Sequence, residues 1–347
     1  MSFRLTRTGF LATICCWVAT ALVVTPFCNC EADDAAESKE ARPLKVSADQ
    51  PLLTQEQWER LNRAVDRGLG FISKSQRRDG SFPTTMEGQP GVTSLCIMAF
   101  LARGHQPGKG PYGAQIDRAI DYVLEMQNPN GAIMSDRWGG TNFDTVRRLS
   151  DGRPRSFPGN YNHGIAGVML GEVYGMTDAS RHERIRGAIV EALKYTRQQQ
   201  IRPKSMPQDR GGWRYVHTEP VNSDLSITAW QLMFLRSARN AEFNVPQEWV
   251  NDAMGYVRRT FDVDQKAFVY ALAGSERYSS RGMVGAGIVC LELGGEHQSP
   301  TGKEAGNWIL AHSFAQYNRS SHHDDRYHYG AFYCSQAMFQ LGGAPPP

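Results

Sequence analysis

A disulfide framework is the first thing this chain lacks. Of its seven cysteines, Cys15 and Cys16 lie in an N-terminal apolar run, and Cys28 and Cys30 lie just after it. Cys96, Cys290 and Cys334 remain, an odd number, each inside an apolar stretch where a free thiol behaves as a small hydrophobe. An excess of charge of one sign is also missing. The formal net charge of +3 falls to +1 once Arg4 and Arg7 are set aside, which leaves no basic field for nucleic acid or an anionic bilayer. Strand-like alternation is sparse, and no apolar run reaches a comfortable membrane span. Gly9 to Val24 instead has the length of a signal-peptide core, behind Arg4 and Arg7 and ahead of Pro26.

These absences set the organisation. Residues 1–30 read as a signal peptide, residues 31–51 as a disordered spacer, 52–343 as one repeat domain and 344–347 as a Pro-rich tail. The protein is then expected to be secreted or periplasmic. An uncleaved N-terminal segment would be its one link to a membrane.

What the body does contain is internal repetition. Five units start near Glu56, Gln115, Arg181, Pro246 and Gly302. Each pairs an amphipathic helix with a second, more apolar one, joined by a long loop holding Gly and an aromatic residue. The spacing exceeds that of tetratricopeptide or HEAT repeats. The second helices carry small residues in series, such as Gly164, Ala166, Gly167 and Gly171, which suits the close approach of an inner ring; polar first helices suit an outer one. The expected fold is all-α, an (α/α) toroid of about five to six helical hairpins.

The loop recurs in graded form: Gln76 to Phe82, Gln127 to Gly131, Gln208 to Trp213, and a degraded Asp262 to Phe268. Glutamine at a helix end can bond the orphan carbonyls there, and Gly supplies the left-handed position after it. These loops resemble the QW motifs of terpene cyclases, as does Ser223 to Leu232. More broadly, the body resembles exported prenyltransferase/squalene-oxidase-repeat proteins of bacteria. The matching stretches are Tyr161 to Ala166 with Glu172 to Gly175, Gly211 to Tyr215, and Tyr333 to Gly343, so the likeness spans about residues 58 to 343. It implies the toroid of squalene–hopene cyclases and prenyltransferase β-subunits, and it says little about activity.

The chemistry of those enzymes is not in place. Asp262-Val263-Asp264-Gln265 lacks the last acid of D-x-D-D and falls in a loop, which leaves Asp264 as the candidate proton donor of an incomplete motif. No Asp-x-Cys occurs to hold zinc. Glu172, Asp209 and Asp224 are the other candidate catalytic acids, with Arg210 beside Asp209; Asp224 also suits a helix N-cap. A carboxylate at Glu172, mid-helix among apolar neighbours, must be paired or face a cavity. His163 and Tyr329 start inner helices, and with Tyr161, Trp213, Tyr215 and Phe332 would line a cavity rim; Trp138 and Phe157 could join them. His322, His323, Asp324 and His328 are weak metal candidates in a polar run. No cofactor is expected. The leading functional expectation is a ligand-binding or scaffold toroid. The alternative is an enzyme, acting on an isoprenoid in the manner of a terpene cyclase or on a polysaccharide as a lyase or hydrolase. A deep apolar pocket would favour isoprenoid, an open aromatic groove glycan, and a filled centre a scaffold.

Overall fold

The computed structural model describes residues 53–135, 157–216, 222–312, 314 and 326–342. Its helices alternate in character along the chain. α1 (Gln55–Ser75), α3 (Gly113–Glu125), α5 (Ala179–Ile201), α7 (Gln247–Arg259) and α9 (Pro300–Ala311) each bury a single stripe. α2 (Gly91–Ala102), α4 (Gly159–Val173), α6 (Leu225–Asn240) and α8 (Arg281–Leu293) are buried almost all round. α10 (Tyr327–Gly342) closes the series. Local sequence marks the starts. A capping box of Thr54 and Gln57 opens α1, Asp178 caps α5, and Ser299 caps α9.

Packing turns this alternation into two layers. The apolar helices contact one another in chain order, α2 on α4, α4 on α6, α6 on α8, α8 on α10. The amphipathic helices lie outside: α1 rests on α2, and α3, α5, α7 and α9 each pack most on the apolar helix that precedes them. This is an (α/α) toroid of five described hairpins. Among the described residues no pairing of comparable extent joins α10 back to α2. Glycine sets the inner spacing: a Cβ on Gly167 would stand 2.5 Å from the Phe234 ring on the next inner helix.

The interhelix loops fasten each hairpin to the next. The Gln76 side-chain amide donates to Gly80 O and to Gln115 O; Gln127 donates to Gly131 O and Ala188 O; Gln200 donates to Gly211 O and Trp249 O. One hydrogen holds the loop's own glycine, and the other holds a carbonyl on the next outer helix. The glutamine therefore does not serve its own helix end, as the sequence suggested. In the third hairpin it is Gln200 that does this, not Gln208, because the loop there is longer. Each glycine has positive φ and presses on a carbonyl one turn further along that next helix: Arg118, Glu191 and Asp252 in turn. In the fourth hairpin the loop becomes a two-stranded β-hairpin, β1 (Phe261–Asp262) and β2 (Ala267–Phe268), where Lys266 at φ 54 holds the glycine's place.

Removing both bonds at one site leaves two carbonyls without their donor. Gln127→Ala is expected to cost about 1–3 kcal/mol, read as a lower midpoint in urea with an unchanged slope.

Candidate functional site

The residue two places after each loop glycine turns its backbone amide onto a side chain of the inner helix. Phe82 N donates to Thr93 Oγ1, Trp213 N to Thr228 Oγ1, and Ile133 N to His163 Nδ1, all at 3.1 Å. His163 thus stands where the flanking hairpins use threonine. It is fully buried, and its Nε2 lies 2.9 Å from Thr196 Oγ1, which donates to Gln231 Oε1. Burial takes its imidazole down to about 3, the Ala192 carbonyl opposing. The ring is neutral and committed between layers. Trp213 is similarly enclosed, its indole N–H donating to Thr196 O at 2.9 Å.

The N-terminal ends of α4, α6 and α8 carry the polar residues that do converge. Asp224 is the N-cap of α6: its Oδ1 accepts from Ile227 N at 2.8 Å and from Ser226 Oγ at 2.5 Å. Tyr161 in turn donates to Ser226 Oγ. Across from it, Arg214 Nη1 lies 3.6 Å from Asp224 Oδ2, while Nη2 donates to Glu276 at 2.6 Å. The guanidinium sits 5.5 Å from the Tyr215 ring centroid and 5.3 Å from that of Tyr270, and Tyr270 stacks on Tyr278. Asp224 is 0% exposed. Burial raises its carboxyl above the usual range, and Arg214 only partly offsets that.

Behind this group Asp209, also buried, accepts from Ser223 N at 3.1 Å and so fixes the approach to α6. Lys204 donates to Gly212 O at 2.7 Å, and burial brings its ammonium down to about 8 against the pull of Asp209. The acids are therefore withheld from the surface. What the rim presents outward is the half-buried faces of Tyr215, Tyr270 and Tyr278 around the Arg214–Glu276 pair.

The ring interior is spanned by aromatic side chains. Trp230 of α6 stacks on Phe332 of α10 with centroids 5.6 Å apart, although α8 lies between those two helices in the ring order. Tyr333 meets the same indole edge-on at 6.2 Å, and Tyr329 packs on Tyr333 at 5.0 Å. Tyr161 approaches Tyr329 from α4. Phe332 and Tyr329 thus lie in the ring interior with Tyr161, and Tyr215 lies beside them at 5.8 Å from Tyr161.

The remaining candidates lie apart. Asp264 is exposed in the β1–β2 turn, its amide on Asp262 Oδ1, and Arg210 is exposed with its carbonyl bonded to Arg259. Glu172 is buried at the other end of α4. Phe157 is half-buried, and its carbonyl accepts from Val216 N. His328 is exposed in the first turn of α10, while His322, His323, Asp324 and Trp138 lie outside the described residues. Among the described residues no three metal-ligating side chains converge, and no helix is long and apolar enough to cross a membrane. Sequence reasoning passed over Arg214, Glu276, Tyr270 and Tyr278. Arg214 could have been flagged by its place in Gly-Gly-Trp-Arg-Tyr; the others come from a loop that carries no motif.

No family model matches the chain, and no curated protein is similar to it in sequence. Solved structures share the shape at low identity. The type II terpene cyclase MstE of Scytonema, solved with geranylgeranyl dihydroxybenzoate, is 12% identical with TM-score 0.46, over 95% of this chain and 86% of that one. The unsaturated glucuronyl hydrolase of Bacillus sp. GL1, described as responsible for glycosaminoglycan degradation, is 12% identical with TM-score 0.49, over 81% of this chain and 80% of that one.

Proposed function

We propose that this protein is a non-catalytic toroid of the prenyltransferase/squalene-oxidase-repeat type that acts outside the cytoplasm and binds a glycan across its inner-helix rim. The observation that carries this reading is the Trp230–Phe332 stack. That pair and the tyrosines around it occupy part of the interior that an isoprenoid chain would need. The rim supplies a different surface: half-buried phenols that offer a flat apolar face and a polar edge, grouped around one ion pair. Sugar rings need such faces, with polar groups to fix their hydroxyls. Asp209 and Asp224 are buried, and each has one carboxylate oxygen committed to a backbone amide.

Affinity electrophoresis through gels loaded with neutral and anionic polysaccharides tests this. The full chain is expected to be retarded by at least one polymer without releasing new reducing ends, and Tyr215→Ala to lose about tenfold in retention, the worth of one stacked ring. New reducing ends would transfer the protein to the enzyme reading. No retardation, together with thermal stabilisation by farnesol, would transfer it to the isoprenoid one.

A further inference from the structure

On α4, Tyr161, Ile165, Val168 and Glu172 share one stripe by helical spacing. It lies opposite His163, which reaches outward to Thr196 on α5. Glu172 therefore stands on the side turned to the ring interior, in the last turn of α4, at the end away from the rim. It is 8% exposed and accepts a hydrogen bond from Ser237 Oγ of α6 at 3.0 Å. That hydroxyl also lies 3.2 Å from Val168 O, so its one hydrogen serves two acceptors. A negative charge here would be buried and would sit at the negative end of a helix dipole.

Among the described residues, the neighbouring elements do not bring a cation to it. After α2, Arg103 is bound to Asp66 and Asn62, and Cys96 of α2 is a half-buried thiol that partial burial holds in its neutral form. At the start of α5, Arg181 is held by Asp121 and Asp178, and His182 stacks on Tyr174. On α6, Arg239 donates to Gln247 and to Val245 O, while burial and Arg239 both disfavour the charge on Arg236.

We infer that Glu172 is a proton-dependent latch between α4 and α6: uncharged it rests in the buried seam beside Ser237, and ionised it strains that seam on the interior side by its need for water, which the bond from Ser237 offsets only in part. Burial raises its carboxyl from 4.5 to about 7, with Ser237 opposing. A raised acid stabilises the fold fully below its unfolded value of 4.5, and that stability is lost as pH rises through about 7. His163 works with the opposite sign. Its imidazole is depressed from 6.5 to about 3, so its contribution is lost as pH falls below 6.5. The useful readout is therefore the difference between variants, in which His163 cancels.

Thermal unfolding of the full chain and of Glu172→Gln at pH 5, 6, 7 and 8 is the test. The two are expected to melt together at pH 5, and Glu172→Gln about 5 °C higher at pH 8. A difference that is constant across the four pH values, or a variant that melts lower at pH 8, overturns the inference. Ser237→Ala removes the opposing hydrogen bond and is expected to move the pH-dependent loss to higher pH. Carbon-13 titration of the Glu172 carboxyl in the unaltered protein does not depend on any variant folding; a midpoint near 4.5 would also overturn it. None of these outcomes depends on whether the rim binds a glycan.

Discussion

Gly211→Ala is expected to remove most of the stability of the domain, whereas Gly295→Ala is expected to remove little. Both glycines have positive φ, 91° and 88°, so both substitutions force an L residue into a region it rarely adopts, at about 1–2 kcal/mol. The surroundings separate them. A Cβ on Gly211 would lie 2.0 Å from Asp252 O and 2.6 Å from its carbonyl carbon, whereas one on Gly295 would meet nothing within 4 Å. The obstacle at Gly211 is backbone of the next outer helix, so no rotamer change can relieve it. Either α7 shifts away or the loop leaves its place, and the bonds from Gln200 to Gly211 O and Trp249 O go with it. We expect at least about 4 kcal/mol for Gly211→Ala. Parallel urea unfolding of the two variants checks this, and equal losses would mean that φ alone matters.

That contrast shows which parts of the fold the residues announce. Glycine followed two places later by a buried residue marks a loop, and a series such as Gly164, Gly167 and Gly171 marks an inner helix. Both are local statements about backbone and side-chain size, and both hold in the two layers observed. The partner of the loop is not local. Gln127 and Gly131 sit close together in sequence, but the Ala188 and Glu191 carbonyls they meet are on another hairpin. The third hairpin hides its glutamine further, since Gln200 lies at the end of α5 well before Gly211. Gln208 was the nearer match by spacing alone.

The candidate site was legible to a smaller degree, for a related reason. Titratable type and position at a helix start singled out His163, yet its role follows from comparison across hairpins, where Thr93 and Thr228 take the same amide bond. Asp224 could be read as an N-cap from its place two residues before Ser226, and it is one, accepting from Ile227 N. Arg214 beside it could not be placed, because its partners Glu276 and Tyr270 belong to the loop before α8. Glu172 was conspicuous as a carboxylate in an apolar helix, but nothing local names Ser237 as its partner.

The interior stack gives the second large effect, and it bears on function as well as stability. Trp230 is 4% exposed, and Trp230→Ala is expected to cost about 3–5 kcal/mol, the usual loss for truncating a buried large aromatic. Phe332→Ala should cost less, since Phe332 is only half-buried. Both open the same space, because the two rings face each other at 16° between planes. If that stack is what denies an apolar chain its channel, either variant should gain what the unaltered protein lacks. Farnesol is then expected to leave the unaltered chain's melting temperature unchanged and to raise that of Phe332→Ala by about 5 °C at 100 times its dissociation constant, where linkage supplies about 2.7 kcal/mol. The variant that costs less stability is the better probe, since its fold survives to report the new cavity. Equal response of both proteins to farnesol would mean that the aromatic stack does not guard the interior, and the choice of a rim ligand over a lumen ligand would lose its physical basis.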